Sequence, residues 1–296
     1  MDQPAVHRPT IPALIPQRTA RRYIGIDLAW GEGSAAKLAN ETGLAMIDTS
    51  GTVLHAGWAR GVDDVTAWLT ATALPGDIIA IDAPLVIPNP TGMRPCEREV
   101  GRGYGRWHVA ANASNTSMGW KAGVTLRERL EAEGFVYTDG TTPPHPAART
   151  LFECYPYTTI VGMEELGYDE KRPRYKRLDK ALTAVEGKAA RLIACDELIR
   201  RVGTLTGATP PLDIASHATS AVLLDEPSPA NATAYKHRED LLDALLCAWT
   251  AATWHVHGDA RVQILGRNDA PDAAGRRPTI VAPARPEQRV AGRTHA

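Results

Sequence analysis

The sequence predicts an α/β fold: a mixed sheet of βββαβ order with helices on both faces. Three observations carry that prediction. Tyr23-Ile-Gly-Ile-Asp-Leu-Ala-Trp30 is a short apolar run ending near a carboxylate, as a buried strand would be. Residues 43–48 and 52–58 flank Thr49-Ser-Gly51, a hairpin signature. Asp77-Ile-Ile-Ala-Ile-Asp-Ala-Pro-Leu85 is apolar throughout its middle, the pattern of a strand covered on both faces inside a parallel sheet. Between hairpin and fourth strand, residues 62–69 have amphipathic helical spacing, and Pro75-Gly76 ends them. A right-handed crossover through that helix would lay the fourth strand parallel to the first and beside it.

The remaining elements follow in order. Residues 1–20 are proline-rich, have no unbroken apolar stretch and read as a disordered tail rather than a signal peptide. Residues 86–148 are rich in Pro, Gly, Asn and Arg and lack strand patterning. They are expected to form a helical and loop insertion over the strand ends, with short helices near 94–99 and 125–133. Leu151-Phe-Glu-Cys-Tyr-Pro156 reads as the next strand, stopped by proline. Residues 183–202 read as a long helix with Leu192, Ile193, Leu198 and Ile199 on its apolar side, and 203–234 as loops and turns. Residues 235–254 form the closing helix, with Leu242, Leu245, Leu246 and Trp249 at helical spacing. Runs at 262–265 and 279–282 read as marginal edge strands. The expected organisation is one domain over 21–268 and an extension over 269–296, with no internal repeat.

Composition narrows the function classes. At 296 residues and 44% hydrophobic content the chain can bury a real core, and a net charge of −1 leaves nucleic-acid binding to local basic patches. Cys96, Cys154, Cys195 and Cys247 form no C-x-x-C pair, which suits reduced thiols in the cytoplasm. No apolar run is long enough to span a membrane.

The chemistry is concentrated in carboxylates. Asp240 and Asp243 stand three apart on the closing helix, so they share a face where the helix turns apolar. Two like charges 4 Å apart repel by roughly 4 kcal/mol at an effective dielectric of 20, so a positive partner is expected. The plainer alternative is two acids favoured by the helix dipole. Asp27 and Asp82 fall at the carboxyl ends of parallel strands, where open α/β sheets place ligands, although either alone could be a turn or cap residue. Glu153 occupies a third strand-end position. Such oxygen ligands suit Mg²⁺ or Mn²⁺ rather than zinc, and two ions about 3.5–4 Å apart can drive phosphodiester hydrolysis. Arg94, Arg98, Arg102 and Arg106 could meet phosphates, with Tyr104 or Trp107 stacking on bases, or could be ordinary surface residues. Lys171-Arg-Pro-Arg-Tyr-Lys-Arg-Leu-Asp-Lys180 is the strongest basic cluster, read either as a solvated run or as a phosphate-contact surface. There is no G-x-S-x-G elbow, no G-x-x-x-x-G-K-[ST] loop and no G-x-G-x-x-G fingerprint. His255 and His257 are badly spaced for zinc.

A βββαβ unit with Asp in its first strand, an acid in its fourth and D-x-x-D-A opening a closing helix resembles the RNase H-like nucleases. Asp240-Leu-Leu-Asp-Ala-Leu245 is similar to the closing helix of the RuvC-type resolvases, which carry Glu where this chain has the shorter Asp82. More closely, Gly25-Ile-Asp-Leu-Ala-Trp30, Ile81-Asp-Ala-Pro-Leu85, Arg94-Pro-Cys-Glu97, Glu153-Cys-Tyr-Pro156 and Tyr235-Lys236 resemble the bacterial domain of unknown function 429 family, described as predicted RNase H-like nucleases. The resemblance implies that Asp27, Asp82, Asp240 and Asp243 bind metal. The leading expectation is a Mg²⁺- or Mn²⁺-dependent nuclease on DNA or RNA, monomer or dimer. In it Asp27 bridges the ions, Asp82 and Asp243 complete them, and Asp240 or Glu153 orients water. Lys236, Arg94 and Arg98 hold phosphates. A phosphotransferase of actin/sugar-kinase type, using the 31–34 turn, and a non-catalytic nucleic-acid or protein-binding module stay open. The nuclease expectation requires the acids to converge on a pocket that no lysine or arginine already neutralises.

Overall fold

The computed structural model of the chain describes residues 21–31, 33 and 38–290. The 1–20 tail, residues 291–296 and part of the 31–34 turn lie outside the described residues. The chain begins with β1 (Arg22–Asp27), β2 (Glu41–Asp48) and β3 (Val53–Arg60). Asp48 closes the β2–β3 turn: its Oδ1 accepts from the Ser50 and Thr52 amides at 2.8 and 3.0 Å, and Gly51 takes a φ of +82° that favours glycine. Then α1 (Gly61–Thr72) buries Val62, Val65 and Leu69, and β4 (Ile78–Ile81) is buried throughout.

After β4 come α2 (Pro95–Tyr104), α3 (Ala122–Ala132), β5 (Val136–Tyr137), β6 (Thr150–Glu153), α4 (Pro156–Gly162), α5 (Ala184–Val202), α6 (Ala218–Asp225), α7 (Ala232–His257), β7 (Val262–Leu265) and β8 (Ile280–Pro283). The main sheet runs β3-β2-β1-β4-β6-β5. β2 is antiparallel to both its neighbours, while β1, β4, β6 and β5 are parallel. This mixed sheet, flanked by helices, is an RNase H-like α/β fold. Alternation sends Ile24, Ile26, Ile79, Ile81 and Leu151 into the core under α1 and α3, and Tyr23, Ala80 and Phe152 into the larger core under α7.

Several elements differ from the sequence reading. Residues 86–148 reach the strand ends, where Ala110 and Asn112 line the cleft beside Asp27 and Asp82, and also pack into both cores. Cys96, Val100, Tyr104 and Trp107 pack into the α7-side core, and Leu126 and Leu130 into the other. The segment also contributes β5, whose two residues are too few to show a period. Pro156 both stops β6 and starts α4, because proline suits the first helical turn. The two C-terminal strands are not marginal: β7 and β8 pair with each other antiparallel and are buried throughout. A bridge from Cys154 to Val281 ties the pair to the main sheet. Among the described residues, no helix is long and apolar enough to cross a membrane.

Candidate metal centre

Backbone geometry brings the aspartates together. β1 and β4 pair in register up to Ile26 and Ile81, and the Asp82 amide donates to the Ile26 carbonyl at 2.8 Å. Asp27 and Asp82 therefore leave adjacent strands side by side, on the α7 face. α7 reaches the sheet closely because glycines lie beneath it. A Cβ on Gly25 would sit 1.9 Å from the Ala244 carbonyl oxygen, and one on Gly43 would sit 2.1 Å from that of Asp240. The helix thus carries Asp240 and Asp243 over the same strand ends. One carboxylate oxygen from each of Asp27, Asp82 and Asp243 lies within 4.8 Å of the others. Asp240 lies close enough to Asp27 for the two charges to interact, and both line the same cleft.

Four aspartates share two lysine ammonium groups. Lys176 Nζ stands 2.5 Å from Asp243 Oδ2 and 3.7 Å from Asp82 Oδ2, and Lys236 Nζ stands 2.5 Å from Asp240 Oδ1. Tyr175 donates its hydroxyl to Asp243 Oδ1 at 2.6 Å, and Tyr235 in turn donates to the Tyr175 carbonyl. Asp243 is fully buried, so the Lys176 ammonium and the Tyr175 hydroxyl between them cover both of its carboxylate oxygens. The expectation of a pocket that no lysine or arginine neutralises is therefore corrected: Asp243 and Asp240 each hold an ammonium.

The lysines do not complete the compensation. Burial pushes Asp82 well above the ordinary carboxyl range, with Lys176 opposing the rise and Asp27 and Asp243 adding to it. Burial, reinforced by Asp27 and opposed by Lys236, pushes Asp240 up to about 9. Burial against the pull of Lys176 takes Asp243 up to about 7. On Lys176 burial works against the charge, but Asp243, Asp82 and Asp27 outweigh it and raise its affinity for a proton well above the ordinary lysine value. Carboxyls that keep protons near neutral pH mark a site short of positive charge.

Glu153 does not join the cluster. Its register partner in β4 is Ile81, one residue before Asp82, so its side chain leaves the opposite face of the sheet. There it receives Arg94 Nη2 at 2.6 Å, Arg94 Nη1 at 2.8 Å and the Leu85 amide at 3.0 Å. Arg94 is 1% exposed and also bonds Glu97 Oε1 at 2.8 Å and the Val86 carbonyl at 3.1 Å, so its guanidinium is unavailable to a phosphate. The residue in register with Asp82 is Cys154, whose Sγ lies 3.4 Å from Cys247 Sγ on α7. Arg98 is exposed, donates to the Met93 carbonyl and lies outside the pocket lining. Tyr104 and Trp107 are core residues rather than stacking platforms.

The pocket itself is a cleft of about 290 Å³ above the aspartates. Trp30, Tyr155 and Tyr157 contribute aromatic walls, and Arg172, Arg177 and Lys236 contribute positive charge. Arg172, Lys176 and Arg177 belong to the basic run, which therefore turns inward at its middle instead of lying in solvent. The signal was Tyr175, an aromatic amid charges, which is fully buried. No curated protein and no solved structure matches the chain. Residues 25–269, which hold all four aspartates, both lysines and the strands and helix that gather them, match the family model described as protein of unknown function (DUF429), and the chain belongs to that family.

Proposed function

We propose that the protein is a divalent-metal-dependent phosphodiesterase acting on nucleic acid, DNA or RNA. The observation that carries this reading is the meeting of buried Asp27, Asp82 and Asp243 oxygens within 4.8 Å. Oxygens around one Mg²⁺ stand roughly 3–4 Å apart, so small side-chain rotations bring the three onto an ion. All-oxygen donors on separate elements are the chemistry of Mg²⁺ or Mn²⁺. Asp27, Asp82 and Asp243 would hold the ion, with Asp240 beside Asp27. Bound there, the ion would supply Lewis acidity and a more acidic water.

The chain's own groups account for the rest. Hydrolysis joins a water oxygen to phosphorus and breaks the bond to the leaving sugar oxygen; the water's proton goes to a carboxylate, and the leaving oxygen takes one from solvent. Asp240, ionised once a cation beside it has lowered its proton affinity, would take that water proton through the oxygen that Lys236 does not hold. Arg172, Arg177 and Lys236 face the cleft where phosphate oxygens would lie, and Trp30, Tyr155 and Tyr157 offer faces for bases. Four buried thiols, none in a disulfide, fit work in the cytoplasm. The Lys176–Asp243 contact favours one rival, a nucleic-acid-binding module that needs no metal.

The test is cleavage of single-stranded, duplex, hybrid and branched substrates with Mg²⁺, Mn²⁺ or chelator. Cleavage should require the ion and fall at least roughly a hundredfold in Asp27→Asn, the scale of losing one charge-stabilising group. Binding of nucleic acid with no cleavage, equal with and without ion, would establish the rival.

A further inference from the structure

We infer that Lys176 is the fixed second cation of the site, so that the pocket takes one divalent ion rather than a pair. This rests on the metal-dependent reading above. Two-ion phosphodiester chemistry places its ions about 3.5–4 Å apart on shared carboxylates. Here one of those shared positions already holds an ammonium, 2.5 Å from Asp243 and 3.7 Å from Asp82. A second divalent ion could not occupy the space that the ammonium fills.

The lysine is built into this position. Tyr175, its neighbour, is buried, with its hydroxyl on Asp243 and its carbonyl taking the Tyr235 hydroxyl. Upstream, the Arg172 amide donates to the Trp107 carbonyl at 3.0 Å, and Arg172 Nε donates to the His108 carbonyl at 2.7 Å. The Arg172 guanidinium also stacks 4.2 Å over Tyr157, whose ring lies 5.5 Å from Lys176 Nζ. Backbone and side chains thus anchor the run before Lys176 and aim the ammonium at the aspartates. Lys236 sits at the other end of the cluster, 2.5 Å from Asp240 and 2.9 Å from Glu239, and makes no ion pair with Asp82 or Asp243.

The experiment counts Mn²⁺ ions bound per full-length chain by titration calorimetry and by loss of the free-ion paramagnetic resonance signal. The wild-type chain should bind one, Lys176→Arg one, and Lys176→Met two, as the vacated charge is replaced. Lys176→Gln serves in place of the methionine variant if that one does not fold. Two ions in the wild-type chain would overturn the inference while leaving the metal reading intact. So would a single ion in the methionine or glutamine variant, which would show that Lys176 does not stand in a second ion's place. No ion bound by any chain would overturn the metal reading and this inference with it.

Discussion

Arg94 shows how similar residue patterns can hide opposite roles. An arginine near a cluster of acids looks like a phosphate ligand in the sequence, and Glu153 at a strand end looks like a metal ligand. The structure closes them on each other, with Glu97 as a third member, all inside the protein. Breaking a buried pair leaves an uncompensated charge, so Arg94→Ala should cost about 3–5 kcal/mol in urea unfolding. A phosphate-holding arginine would leave stability nearly unchanged, and that outcome would return Arg94 to the site. The four aspartates were legible because their signal is local: strand-end positions and a three-residue helical spacing. Glu153 was misread because its parity against Asp82 depends on strand register, which only pairing fixes. Lys176 was misread because its contact with Asp243 exists only after loop and helix have packed.

At the scale of elements, the site depends on how far α7 can descend onto the sheet. The hairpin, the crossover helix and α7 itself were legible from periodicity and turn residues. The close approach was not, since Gly25 and Gly43 look like ordinary strand glycines until the helix backbone is found above them. Gly43→Ala would push a methyl group against the Asp240 carbonyl, which is rigid helix backbone. Overpacking of this kind costs up to roughly 3 kcal/mol, and here it must also lift Asp240 and Asp243 from Asp27. The expected result is a lower unfolding midpoint together with weakened Mn²⁺ binding. Gly57→Ala on β3 is the control: the new Cβ would meet only the His55 ring, at 3.4 Å, and both properties should hold to within about 0.5 kcal/mol. If Gly43→Ala behaved like Gly57→Ala, the helix would not be what sets the aspartate geometry.

The whole molecule carries two sets of carboxyls that act in different pH ranges. Burial opposes ionisation of Glu165 and Asp139, but Arg261 on the first, and Thr141 and Arg277 on the second, outweigh it and hold both below their ordinary values of 4.5 and 3.8. These groups stabilise the fold above those values, and their contribution is lost as acid titrates them. Asp240 and Asp243 behave in the opposite sense: raised from 3.8 to about 9 and about 7, they bind protons more tightly folded than unfolded. Stability must then fall as pH rises through that window, because the folded state surrenders its advantage in bound protons. Lys176 and Lys236 do not mask this, since both are raised above 10.5 and stay charged across it. Without divalent ion, the unfolding temperature should peak near pH 5 and decline toward pH 8.5. Mn²⁺ displaces protons from the same oxygens, so its stabilisation should grow with pH, reaching about 2.7 kcal/mol at a hundred times the dissociation constant. Thermal melts at pH 5, 7 and 8.5, with chelator and with Mn²⁺, measure both trends. A chelated protein equally stable from pH 5 to 8.5, or a Mn²⁺ effect no larger at pH 8.5 than at pH 5, would mean that the aspartates are already neutralised within the chain and do not bind the ion.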